Sequence, residues 1–153
     1  MGDPDDKLLK DIREYGWHVV KVFSRTGGPD FAYSVGMFET FGHPEILIVG
    51  LALDTMHLLI NNIATDVQSG KTFEDLRDYD DILDGYKCAF RAVRLEHYKD
   101  LFGWAISHYQ GTDFPALQCV WPDRNHEFPW DSEAGSQFRR DQPTYFTVTE
   151  VQP

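Results

Sequence analysis

The stretch "FGHPEILIVG", residues 41–50, sets His43 and Glu45 on either side of Pro44, at the mouth of an apolar run. An imidazole and a carboxylate two residues apart, with proline fixing the backbone between them, can lie on one side of an extended segment. Such a pair can move protons or share a metal. The same residues also suit a Gly-His-Pro turn whose side chains bond nearby backbone before a strand begins. Just upstream, "FAYSVGM" (31–37) points Tyr33 and Ser34 to opposite faces of a strand. The Tyr33 hydroxyl could then meet the His43 ring, or Tyr33 could be one more core aromatic. Gly36 marks a bulge or a close approach to the backbone.

A second cluster lies in "LQCVWPDRNHEFPW". Gln118 alternates with Leu117 and Cys119, so it faces the other side of its strand. Trp121, Pro122 and Asp123 end that strand, and Phe128, Pro129 and Trp130 follow. Two Trp–Pro neighbours on one loop make a rigid, ring-rich rim with little freedom to lose on binding. Apolar walls with a few polar groups are what a ligand pocket requires. The candidate pocket is therefore Tyr33, His43, Glu45, Gln118, Trp121, Asp123 and Trp130, one half from "GHPE" and the other from "QCVWPD". The alternative is a loop that packs its own aromatics as a lid. No residue is assigned a catalytic role.

Other chemistry finds little support. The chain has no H-x-H, H-E-x-x-H or C-x-x-C pattern, so no metal site is expected. It also lacks a dinucleotide fingerprint, a Walker loop and a G-x-S-x-G elbow, so no cofactor is expected. His18, His57, His97 and His108 are scattered over predicted elements and read as structural or surface residues. Cys88 and Cys119 sit in separate apolar runs and read as free buried thiols of a reducing compartment.

Charge narrows the partners. The 25 acids outnumber the 14 bases, for a net charge of −11. Such a surface repels phosphate backbones and anionic lipid, which argues against nucleic-acid and membrane partners. Residues 71–85 hold six of the acids against two bases. Glu74, Asp75, Asp78, Asp80, Asp81 and Asp84 read as a solvated face, or as a docking patch for a basic protein. The start, "MGDPDDKLLKDIREYG", is acidic and amphipathic rather than basic then apolar, so a cytoplasmic protein without a secretory leader is expected.

These groups need a scaffold to position them. A chain of 153 residues fits one domain, 1–153, able to close a real core. Pro4 begins a helix with a stripe of Leu8, Leu9, Ile12 and Tyr15, stopped at Gly16. Strands are expected over 17–23 and 31–37, joined by the Gly-Gly-Pro turn, and over 45–51 as a buried central strand. Asp54 is expected to cap a helix ending at Gly70. Residues 86–95 alternate as a strand, 96–111 form a helix and 116–121 another strand. Residues 122–143 form a long loop, and 145–151 a last edge strand. Hairpin-length connections between early strands predict an α+β domain: a mostly antiparallel sheet of about five or six strands with two or three helices packed on it.

The blocks "GWHVV", "FAYSVGMFETFGHPEILIVGL", "ALQCVWPD", "FPW" and "DQP", in that order, resemble a bacterial family known as domain of unknown function 4262. The resemblance runs from about Gly16 to Pro143 and implies a bacterial, intracellular setting. It brings no activity and no catalytic residues. The order of elements also resembles split-barrel flavin reductases, an analogy of fold alone. Two classes of function follow. One is a non-catalytic interaction protein, immunity-type or regulatory, that steers a basic partner with its acids and anchors it on Trp121 or Trp130. The other is a small-ligand or enzymatic pocket, flavin-related by that analogy, built from Tyr33, His43, Glu45, Gln118 and Asp123.

Overall fold

A computed structural model describes residues 4–24 and 27–146. The first helix, α1 (Pro4–Tyr15), has proline at its first position and buries Leu8. It ends where the Gly16 N–H donates to the Ile12 carbonyl at 2.9 Å, with Gly16 at φ 102, a conformation that suits glycine. Strands β1 (His18–Val22) and β2 (Phe31–Val35) pair antiparallel, and β2 pairs antiparallel with β3 (Glu45–Val49). Between β2 and β3 lies a short helix, α2 (Met37–Phe41), flanked by Gly36 and Gly42, both left-handed. Helix α3 (Leu53–Gln68) follows, then strands β4 (Arg77–Leu83) and β5 (Tyr86–Ala92). A 3₁₀ turn (Leu95–His97), α4 (Tyr98–Leu101) and α5 (Gly103–Tyr109) lead to β6 (Ala116–Val120), and α6 (Ser136–Asp141) comes last.

The fold is α+β, a single six-stranded sheet in the order β1-β2-β3-β6-β5-β4. Among the described residues only the central pair, β3 and β6, is parallel, with Glu45 opposite Ala116 and Leu47 opposite Gln118. Every residue of these two strands is buried, because helices cover both faces. Ile46 and Ile48 share a cluster with Met56, Ile60 and Ile63 of α3, whereas Leu47 and Val49 share one with Leu101 of α4, Ala105 of α5 and Phe102 between them. Each such aliphatic side chain contributes about 1.5–3 kcal/mol by leaving water.

Several local expectations are corrected. The acidic segment is not a free excursion: Arg77–Leu83 is the edge strand β4, paired with β5. Its charges suit an edge, where they discourage pairing with other chains. At Gly36 the expected close backbone approach holds, since an added Cβ would meet the Gly16 carbonyl oxygen at 2.9 Å, but the bulge does not, because Gly36 opens α2. Asp54 lies in the first turn of α3, whose N-cap is Ala52 with no side-chain cap. The helix expected over 96–111 is broken at Phe102, whose φ of −111 and ψ of 41 leave the helical region so that its ring reaches the core. The loop after β6 contains α6. Tyr145 and Phe146 are not in a strand, and residues 147–151 of the expected last strand lie outside the described residues.

Candidate functional site

Glu45 opens β3 and is fully buried. Its Oε1 accepts from the Ser34 hydroxyl at 2.7 Å and the Met37 N–H at 3.2 Å. Its Oε2 accepts from the N–H groups of Gly36 and Phe38, at 3.0 and 3.2 Å, and from the Tyr109 hydroxyl at 2.5 Å. A carboxylate offers about four lone-pair sites, so none is left for a substrate. Burial pushes the Glu45 carboxyl up, and the donors, Tyr109 first, pull against it. Because α2 has no side-chain cap of its own, Glu45 satisfies its orphan N–H groups from the neighbouring strand. This is an internal brace.

His43 is equally committed. Its Nε2 accepts the Phe73 N–H at 3.0 Å, so the proton sits on Nδ1, which donates to the Pro44 carbonyl at 2.9 Å. Burial holds its pKa below the ordinary 6.5, keeping the ring neutral. The Tyr33 hydroxyl accepts the Trp104 N–H at 3.0 Å on the α5 face of the sheet. Gln118 spends both ends of its amide, donating to the Pro143 carbonyl at 2.9 Å and accepting the Tyr145 N–H at 3.0 Å.

The two proposed halves of the pocket do not meet. In the parallel β3–β6 pair, His43 and Glu45 lie at the N-terminal end. Asp123 follows the C-terminal end of β6, about four strand residues or ~13 Å further along. There Trp121 donates its indole N–H to the Val49 carbonyl at 2.7 Å and exchanges backbone bonds with the Gln142 amide. Asp123 Oδ1 accepts the N–H groups of Asn125 and Glu127, at 2.8 and 3.0 Å, and so shapes the loop. Trp130 stacks on Phe128 at 4.9 Å, with the Arg91 guanidinium 5.0 Å from its ring. The small-ligand pocket built from Tyr33, His43, Glu45, Gln118 and Asp123 is therefore not assembled.

Open space lies elsewhere. A groove of about 640 Å³ runs between the β4–β5 hairpin and the loop after β6, and it joins Trp121 and Asp123 to Asp84 of the acidic segment. A neighbouring groove of about 400 Å³ holds Asp80, Lys87 and the His126 ring, which stacks on Tyr86 at 4.7 Å. The other acids are in use: Asp75 accepts the Ala92 N–H at 2.7 Å, Glu74 pairs with Arg77 at 3.1 Å, Asp78 lies 3.7 Å from Arg91, and Asp81 pairs with Lys71. Asp80 and Asp84 are exposed and have no ion pair among the described residues.

A third groove, about 490 Å³, lies between α1, β1 and α3. Here Asp11 Oδ2 accepts from His18 Nδ1 at 2.7 Å, while Oδ1 accepts from Lys7 at 3.0 Å. Burial would raise the Asp11 carboxyl, but the bonds from His18 and Lys7 outweigh it and hold it below the ordinary range. His57 stands across the groove. Burial, with Lys21 next, lowers its pKa. Nothing in the spacing of Asp11 and His18 announces this pairing. It arises because the chain reverses at Gly16, folding the end of α1 beside the start of β1. The one legible signal is a stop glycine between a helical aspartate and a strand histidine.

Among the described residues, no group of three or more His, Cys, Asp or Glu is placed to hold a metal ion, and no helix is long and apolar enough to cross a membrane. No match was found to any curated protein or to any solved structure. A family model described as a domain of unknown function matches residues 11–135, which span α1 to the loop before α6, and on that match the chain belongs to the DUF4262 family.

Proposed function

We propose that this protein is a binding module for a basic protein segment, received in the groove between the β4–β5 hairpin and the loop after β6. The observation that carries this reading is the meeting of aromatic faces and carboxylates in one open groove, where Asp84 has no partner among the described residues and Asp123 and Asp141 each bond through Oδ1 alone. Tyr86, Trp121 and Phe138 line it, with Asp84, Asp123 and Asp141 among them. An ammonium or guanidinium group gains from both, through the ring quadrupole and through charge-assisted hydrogen bonds. Trp121 is already fixed by its bond to Val49, and Phe138 packs edge-on against it at 5.1 Å, so little order remains to be imposed on binding. The net charge of −11 would speed the approach of such a partner. Arg124 also lines the groove and would have to swing aside or pair with a carboxylate.

The test is a fluorescence-anisotropy titration with a labelled peptide rich in lysine, arginine and glycine, against its glutamate-substituted counterpart. The basic peptide is expected to bind saturably, more weakly at high salt, and to lose about tenfold or more in affinity with Asp84→Asn or Tyr86→Ala. Binding that ignores both substitutions would overturn the reading.

A further inference from the structure

We propose that the groove between α1, β1 and α3 is a second, separate site, which binds a small ligand through a carboxylate or phosphate group. It does not depend on the basic-partner reading, because it lies on the opposite edge of the sheet.

The argument begins with sign. The chain as a whole is strongly acidic, yet this groove reverses the balance: Lys7 and Lys21 line it with two histidines, against the single carboxylate of Asp11. That carboxylate is already shared by Lys7 and His18. Among the described residues, Lys21 has one distant and exposed ion-pair companion, Asp54, at 3.9 Å. Its ammonium is therefore available to an anion inside the groove.

Two potential donors line the groove, the Lys21 ammonium and His57 when protonated. With Nδ1–H donating to Asp11, the His18 ring is held in one orientation, and its Nε2, an acceptor in the neutral ring, has no hydrogen bond to any described residue. His57 has no hydrogen-bond partner among the described residues either. Its proton is disfavoured by burial first and by the positive Lys21 second. An oxyanion placed between them would offset that repulsion and accept from Lys21 and from a protonated His57. Trp17 supplies an apolar wall, held in place by its indole N–H donating to Asn61 at 2.9 Å. An apolar wall with a few placed polar groups is the lining that a small-ligand site requires.

The test is histidine-detected NMR of the intact protein titrated with sodium phosphate in one arm and sodium acetate in the other, at constant ionic strength. The ring signals of His18 and His57 are expected to shift saturably in at least one arm, while those of His97 and His108 stay in place. Shifts with phosphate alone assign a phosphorylated ligand, and shifts with acetate alone assign a carboxylic acid. Lys21→Gln should weaken the response about tenfold. Unmoved His18 and His57 in both arms would overturn the proposal, as would a response that Lys21→Gln leaves unchanged.

Discussion

Glu45 and Asp11 are both carboxylates gripped by neighbours where an element begins or ends, and their surroundings part company from there. Glu45 has five donors and no exposure, so its bonding capacity is spent inside the fold. Asp11 has two donors, one of them an imidazole whose other nitrogen has no hydrogen bond to any described residue. The same chemical group is a brace in one place and an orienting partner in the other. What separates them is the number of bonding positions left over once the fold is complete.

The sharpest way to break this contrast is to remove the brace. Glu45→Ala strands the Met37 and Phe38 N–H groups and takes the acceptor from the Ser34 and Tyr109 hydroxyls, leaving Gly36 only its 3.2 Å bond to Tyr109, which should cost on the order of 3–5 kcal/mol or prevent folding. Tyr109→Phe deletes one donor and should cost about 1 kcal/mol. Urea denaturation measures both. Comparable losses would mean that the carboxylate depends on Tyr109 alone.

Gly50→Ala probes the other end of the central strands. Gly50 sits at φ 93, and an added Cβ would stand 2.2 Å from the Asp141 carbonyl oxygen. The strain should cost about 1–3 kcal/mol. It should also push α6 outward and weaken binding of the basic peptide, which anisotropy would detect. Full affinity in this variant would separate the groove from α6.

A smaller effect comes from pH. His43 has a folded pKa below its unfolded 6.5, so the unfolded chain binds more protons in the window between the two. Stability should therefore fall as pH drops through 6.5 toward the folded value, and it should be fully retained above that window. His43→Gln should flatten this slope in urea midpoints measured across the range. Lys21→Gln closes the series. Its only ion pair among the described residues is long and exposed, so stability should stay within about 0.5 kcal/mol of the parent while the response to anions falls away.

Sequence patterns made the frame of the molecule legible. The all-apolar "ILIV" marked the central strand because both of its faces are covered, and the helical stripe of Met56, Leu59, Ile60, Ile63 and Val67 marked α3 because one face is. Helix α2 was not legible, since five residues carry too little periodicity and its cap comes from Glu45, on the next strand. The β4 edge was hidden because exposed charges leave no alternation to read. At the candidate site, the "WPD" rim was recognisable from its rings and prolines, and the structure brings Asp84 of the acidic segment to it. Joining that rim to "GHPE" required knowing that β3 and β6 run parallel, which sends the two motifs to opposite ends. The Asp11–His18 pair was out of reach for the same reason: it depends on how two elements pack.

One histidine-detected NMR spectrum, recorded with the basic peptide added, tests the central claim most directly. His126 reports on the groove beside the hairpin, His18 and His57 on the groove at β1, and His43 on the closed end of β3. The account predicts that the peptide shifts His126 and leaves His43 at its free position. A peptide that shifts His43 while His126 stays still would contradict it, returning the binding site to the motif that the fold has closed.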